Sequence, residues 1–222
     1  MGKKFLCVLG IFVLAGGIVF SQGFPRNTVS IDLGPTIIGA VFGGLSGFIP
    51  DSETSSSGFG IGAQYEFQFT NMFSAALRGA YLMAGLSITD ARMNYSSWSV
   101  EGHGRIYPFS NAFFLDAMLG YANFLTEFSG SSNGQKEGGD YSSTNLKVGA
   151  KLGWRIDYGR PGGFVFEPAL GYYHAIRLNS SKSFDRSIEE QFGEDVEKIF
   201  DPVEKWFFAG GPRVSFNFGF RF

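Results

Sequence analysis

The stretch LKVGAKLGWRIDY, from Leu146 to Tyr158, alternates between two kinds of side chain without a break. One register is wholly apolar and consists of Leu146, Val148, Ala150, Leu152, Trp154, Ile156 and Tyr158. The other is charged or small and consists of Lys147, Gly149, Lys151, Gly153, Arg155 and Asp157. Alternation with period two over roughly 10 residues is typical of a strand that has lipid on one side and a polar lumen on the other.

Seven further segments carry the same pattern, which predicts an all-β fold, an eight-stranded antiparallel up-and-down transmembrane β-barrel. The predicted strands are residues 28–42, 59–69, 73–85, 95–107, 113–124, 146–158, 164–176 and 208–222. A soluble lipocalin-like barrel would need an apolar interior and a polar exterior, and the sorting of these side chains is the reverse.

The connections between the predicted strands are alternately short and long along the chain. Those after strands two, four and six are tight, whereas those after strands one, three, five and seven are long and rich in Ser, Gly and charge, such as 126–143 and 178–205. Short turns on one rim and long loops on the other are the pattern of outer-membrane barrels. We therefore expect both termini on the periplasmic rim and the long loops outside the cell.

The start of the chain predicts a secretory signal peptide over residues 1–21, followed by the barrel over 22–222. Two lysines precede an uncharged apolar run over 5–20, and the small residue Ser21 follows it. Cys7 is the only cysteine and lies inside that run, so we expect no disulfide, thiolate metal site or cofactor in the mature chain. A net charge of −2 gives no electrostatic reason to expect nucleic-acid binding.

The inward register of the predicted strands carries a dense set of charged and titratable side chains. Its members are Asp32, Glu66, Arg78, Glu101, His103, Arg105, Asp116, Lys147, Lys151, Arg155, Asp157, Glu167, Arg213 and Arg221. An eight-stranded barrel has room only for its own side chains or one small ligand, so these charges must pair. Two interpretations stay open: a salt-bridged plug that holds the barrel's shape, and a narrow path for an ion or solute.

Two prolines stand on the predicted first and last strands, at similar heights. Pro35 and Pro212 each lack the backbone N–H that a strand residue donates to its neighbour. The seam between the first and last strands, which closes the barrel, is therefore predicted to be weak or bulged there. One hypothesis is a lateral exit for small apolar molecules at this seam. The alternative is a pair of local bulges with no role in transport.

The last long connection contains apolar residues at helical spacing. Ile188, Phe192, Val196 and Phe200 recur among acidic residues, and Pro202 ends the run. The pattern predicts a short acidic amphipathic helix, placed either as a lid over the barrel mouth or on the surface of the outer leaflet. The alternative is a loop that folds for its own stability.

Several segments resemble a known family. GRIYPF over 104–109, FFLDA over 113–117 and FEPALGY over 166–172 resemble small bacterial outer-membrane barrels of the OmpA, OmpX and OmpW type. The alternating aromatic end, Phe218, Phe220 and Phe222, resembles the C-terminal signal read by the outer-membrane insertion machinery.

The resemblance implies contact with membrane lipid and, by likeness to OmpW, passive uptake of small hydrophobic molecules. The alternative function is a closed structural or adhesive surface barrel that acts through its long extracellular loops.

No constellation of residues predicts an enzyme. His103 stands in the lumen register beside Glu101 and Arg105, which favours a network member over a general base. His174 has no serine two residues away on its own register, so a nucleophile next to a base is not expected. The glycines over 58–62 lack the lysine and following helix of a phosphate loop and predict close packing instead.

Overall fold

The computed structural model of the chain describes residues 27–44, 54–88, 91–109, 112–132, 135–158, 162–184 and 211–222. Its elements are β1 Asn27–Asp32, α1 Gly34–Gly43, β2 Thr54–Gln68, β3 Phe73–Ile88, β4 Ala91–Phe109, β5 Phe113–Ser132, β6 Gln135–Trp154, β7 Ile156–Tyr158, β8 Phe164–Phe184 and β9 Gly211–Arg221. No helix within these ranges is long and apolar enough to cross a membrane.

The strands form one closed antiparallel sheet. Each strand from β1 to β5 pairs with the next, β8 pairs with β6, β7 and β9, and β9 returns to pair with β1. β6 and β7 are separated only by Arg155 and together form the predicted sixth strand. The eight-stranded up-and-down barrel predicted from the alternation is therefore confirmed.

At one end of the barrel, the strands continue far beyond the ends predicted from the sequence. β5 and β6 stay paired from Phe113 and Trp154 up to Ser132 and Gln135. β3 and β4 likewise stay paired up to Ile88 and Ala91. The prediction of long connections after strands three and five was wrong, because ladder hydrogen bonds across a hairpin satisfy the backbone of polar segments as well as apolar ones. The rim formed by these ends is called the hairpin rim, and the opposite one the turn rim.

The predicted first strand over 28–42 was wrong in its second half. β1 ends at Asp32, whose Oδ1 accepts a hydrogen bond of 2.8 Å from the Gly34 amide, and α1 begins at Gly34. Pro35 stands in the first turn of α1, where its missing N–H costs nothing and its fixed φ suits a helix. Pro35 therefore does not belong to the closing seam.

Helix α1 lies on the inner face of β2, where glycines let the two backbones approach. A Cβ at Gly60 would lie 2.3 Å from the Pro35 carbonyl oxygen, and one at Gly58 would lie 2.0 Å from that of Gly39. The Thr36 hydroxyl donates a 2.5 Å hydrogen bond to the Gly60 carbonyl. Close packing at the glycines over 58–62 is thus confirmed, and the partner is a helix inside the barrel.

The outer surface of the barrel is apolar between two bands of aromatic side chains. Near the turn rim, the rings of Phe113 and Trp154 lie 5.4 Å apart. Toward the hairpin rim, the rings of Trp98 and Tyr121 lie 5.6 Å apart. The nine residues from Phe113 to Tyr121 match the length a strand needs to cross a bilayer, about 9–11 residues. Aromatic girdles of this kind mark the two interfaces of a membrane barrel.

Candidate functional site: the ion-paired lumen

The part of the lumen near the turn rim holds two carboxylates and two guanidinium groups, here named the turn-side cluster. Arg155 donates 2.6 Å hydrogen bonds to both Glu66 and Glu167. Arg105 donates to Glu66 and, at 3.0 Å, to Glu167. The four side chains come from β2, β4, the break between β6 and β7, and β8, so the cluster ties opposite walls of the barrel together.

A second group, named the central cluster, lies deeper toward the hairpin rim. Arg78 bridges Glu101 at 2.5 Å and Asp32 at 2.6 Å. Lys147 donates to Glu101, which is completely buried and also accepts a 3.1 Å bond from the Ser99 hydroxyl. Asp32 thus both pairs with Arg78 and holds the first turn of α1.

The two clusters are joined by Asp116 and His103. Asp116 accepts from Arg105 at 2.8 Å and lies 3.4 Å from the Lys151 ammonium nitrogen. The His103 Nδ1 lies 2.8 Å from Asp116, and its Nε2 lies 3.6 Å from Glu101. The two clusters therefore form one continuous network, and His103 is a member of it.

Three predicted members of the lumen network stand apart from its buried core. Asp157 is exposed at the turn rim, where it lies 3.3 Å from Arg221, and the Arg221 guanidinium also donates a 2.5 Å hydrogen bond to the buried Gln68; Asp157 and Arg221 are called the rim pair. Both residues stand at the ends of their strands, Asp157 in β7 and Arg221 as the last residue of β9. Arg213 is less buried than the others and has only a 3.6 Å contact with Glu101.

Apolar layers cover the ion network on both sides. The sequence analysis, which considered only the charged residues of the lumen, did not predict them. Toward the turn rim, Tyr107 and Phe114 pack together, with Arg105 stacked 4.7 Å over Phe114. Toward the hairpin rim, a second layer packs against Ile38 of α1. This layer, named the helix-side layer, consists of Leu82, Tyr95, Ala122, Phe124 and Ala175. Their period-two spacing with Arg78, Glu101 and Asp116 was a usable signal in the sequence.

The other predicted site residues have mixed outcomes. Pro212 does lie on β9, opposite Tyr172 of β8, and faces outward. The lid residues Ile188, Phe192, Val196 and Phe200, and the signal peptide, lie outside the described residues. Phe218, Phe220 and Phe222 are exposed on the outer face near the turn rim.

The chemistry available to this site is electrostatic. In this network of multiply bonded ions between apolar caps, each carboxylate of the two clusters is neutralised by cations at hydrogen-bond distance. His174 faces outward on β8, away from the lumen network. Within the described parts of the chain, no group of three or more His, Cys, Asp or Glu side chains is placed to hold a metal ion.

A closed barrel with a charged lumen, an apolar belt and aromatic girdles is the architecture of a bacterial outer-membrane β-barrel. Residues 39–179 match the Autotransporter beta-domain family. Because the match spans well over half of the sequence, the chain belongs to this family.

Two solved structures are similar to the chain in fold. The translocator domain of the autotransporter NalP from Neisseria meningitidis gives a TM-score of 0.46 at 12% identity, over 83% of this chain and 62% of that domain. Ail, the attachment invasion locus protein of Yersinia pestis, solved with the heparin analogue sucrose octasulfate, gives 0.46 at 16% identity, over 89% and 99%. No curated protein matches the sequence.

Proposed function

We propose that this outer-membrane barrel is closed to solutes and acts at the cell surface, through the hairpins that rise above the bilayer. The observation that carries the proposal is the continuous ion network across the lumen, with Glu101 and Glu66 each held by two or more donors. In a barrel of eight strands such a network fills the space that a pore would need.

The hairpin rim supports a role at the surface. β5 and β6 have 20 residues each and β8 has 21, about twice the length that a bilayer requires. Beyond the upper aromatic band the outward side chains become polar, as at Glu127 and Asp140. Segments of this kind are solvated, and we propose that they form the structural or adhesive surface of the protein.

Conductance measurements test the closed lumen. The refolded mature chain in a planar bilayer is expected to give no ion current, whereas a variant with Arg105→Ala and Glu66→Ala is expected to conduct because its turn-side cluster is removed. A steady current through the unmodified protein at the level of that variant would refute the proposal.

The adhesive part needs a test of its own. Replacing residues 129–138 by a two-residue Asn-Gly turn shortens the β5–β6 hairpin without touching the lumen network. Bacteria that display the shortened protein are expected to attach less to cultured epithelial cells than bacteria that display the full protein at equal surface levels. Equal attachment would remove this hairpin from the adhesive surface.

A second candidate function is OmpW-like passive uptake of small hydrophobic molecules, with lateral release into the bilayer. The observation that favours it is the early end of β1: β9 pairs with β1 only from Arg221 to Asn217, and α1 stands beside the wall above that point. Entry of an apolar probe into liposomes, without entry of a polar probe, would support uptake. Exclusion of both probes would support the closed barrel.

Two further expectations belong to the same proposal. We propose that the barrel has no catalytic activity, since its lumen histidine is bonded into the ion network. We also propose that the outward aromatics Phe218, Phe220 and Phe222 of the last strand guide insertion by the assembly machinery. Phe222→Ala should then lower assembly in cells while leaving refolding of the purified chain in detergent unchanged.

A further inference from the structure

The early end of β1 leaves an opening in the wall of the barrel, here named the slot. Asp32, the last residue of β1, pairs with Gly62 of β2 on one side and with Asn217 of β9 on the other. Toward the hairpin rim β2 continues to Thr54 and β9 to Gly211, and among the described residues no strand pairs with the facing edges of β2 and β9 there. Because neighbouring strands lie about 4.8 Å apart, the slot is one strand wide.

Helix α1 lies behind the slot and contacts both of its edges. The Thr36 hydroxyl donates a 2.5 Å hydrogen bond to the Gly60 carbonyl of β2. On another side of the helix, a Cβ at Gly34 would lie 3.0 Å from the Val214 carbonyl oxygen of β9. α1 packs on the inner face of β2, so it forms a floor that is recessed from the outer surface of the wall.

One side of α1 is apolar and exposed. Each residue of an α-helix is turned by about 100° from the one before it, so Ile37, Ala40 and Val41 lie on the side between the contacts to β2 and to β9. Ile37 is 45% exposed and Val41 is 62% exposed, and Ala40 is exposed as well. Ile38 lies on the opposite side and packs against the helix-side layer in the lumen. The exposed side therefore points outward through the slot.

The register of the strands gives the depth of the slot in the bilayer. Ile61 of β2 is in register, through β3, with Trp98 of the upper aromatic band. Followed through β2 to β6, the line of partners from Asp32 reaches Arg177 on β8; followed through β9, it reaches Glu167. A line of partners thus climbs toward the hairpin rim from β2 to β8, and Ile61 lies deeper than Trp98. The slot therefore opens into the hydrocarbon of the leaflet on the hairpin side.

We propose that the slot holds one acyl chain of a membrane lipid from this leaflet. The chain lies against Ile37, Ala40 and Val41 of α1, between the outward side chains of Phe59 on β2 and Val214 on β9. Water in the slot would meet apolar side chains on the floor and at both edges, whereas lipid chains are the surrounding medium at this depth. The site does not rest on the proposed surface function, because a chain on the outer side of α1 leaves the lumen closed.

Photolabelling of the refolded mature chain in phosphatidylcholine vesicles tests the site. The probe is a phosphatidylcholine that carries a diazirine in the middle of one acyl chain. Mass spectrometry of the digested protein is expected to find lipid adducts on Ile37 and Val41, as it does on outer-belt residues such as Leu119. Labelling of the belt without any adduct on α1 would overturn the proposal, whether water or a second copy of the chain covers the helix.

Electron spin resonance separates a held chain from passing contact, with a phosphatidylcholine that carries a nitroxide at the same acyl position. A chain in the slot is motionally restricted, so Ala40→Trp, which fills the slot, should lower the number of restricted chains per barrel. Ala117→Trp is the matched control, because it adds the same ring on the outer face of β5 and should not lower that number. An equal number in Ala40→Trp and the unmodified barrel would overturn the proposal. If Ala40→Trp fails to refold, photolabelling of the unmodified chain still decides.

Discussion

The two ends of the lumen are held by different interactions. At the turn side, Arg105 and Arg155 each contact both Glu66 and Glu167, and the four side chains come from separate walls. At the hairpin side, the helix-side layer packs by apolar contact against one helix. The difference indicates that the turn-side cluster stabilises the whole barrel, whereas α1 is a local element that can be detached while the wall stays intact.

The largest effect is expected from breaking the turn-side cluster. Glu66→Gln removes the charge that neutralises two buried guanidinium groups and should lower the free energy of unfolding by about 3–5 kcal/mol. Urea unfolding of the refolded barrel in phospholipid vesicles measures this change. A loss below about 1 kcal/mol, the typical value for an exposed pair, would mean that the cluster does not hold the walls together.

An intermediate and local effect is expected from detaching α1. Gly60→Val places a side chain where a Cβ already meets the Pro35 backbone, and overpacking of this kind costs about 1–3 kcal/mol. Backbone amide hydrogen exchange should become faster in α1 and stay unchanged in β5 and β6. The reason is that α1 detaches from β2 while the hydrogen bonds between the strands are kept.

A matched substitution controls for the loss of glycine itself. Gly79→Val stands on β3, where a Cβ meets nothing within 4 Å, so exchange in α1 should not change. If Gly60→Val lowered the free energy of unfolding as much as Glu66→Gln, the distinction between a global turn-side cluster and a local helix would be wrong.

The smallest effect is expected at the rim pair. Asp157→Asn removes a carboxylate that is 43% exposed and lies 3.3 Å from Arg221. Solvent screens such a pair, so the free energy of unfolding should fall by no more than about 1 kcal/mol. Urea unfolding under the conditions used for Glu66→Gln provides the comparison, and an equal loss at both positions would show that burial does not decide the strength of these pairs.

Most of the barrel could be predicted from the sequence because a membrane wall sorts side chains at every second residue. Lys147, Lys151 and Arg155 were placed in the lumen from their alternation with apolar neighbours, and they are buried there. Polar hairpin ends lacked this signal. Beyond the upper aromatic band the outer faces of β5 and β6 also carry polar side chains such as Glu127 and Asp140, so the alternation fades although the strands continue.

The helix at residues 34–43 could not be predicted in the same way. Its run of Ile, Val and Gly suits a strand as well as a helix, and the turn of the chain into the lumen depends on Gly58 and Gly60, which are distant in sequence. Local pattern therefore assigned Pro35 to the wall, and only the packing against β2 placed it in α1.

By itself the sequence determined the number of strands, the face on which each charge stands and the membrane class, because all three follow from local alternation. Only the tertiary structure decided which carboxylate meets which cation. Glu66 and Arg155 are 89 positions apart and meet at 2.6 Å because strand tilt and closure bring their walls together. The same closure gave Arg213 its weak contact, since pairing across a lumen depends on the register of every strand between the partners.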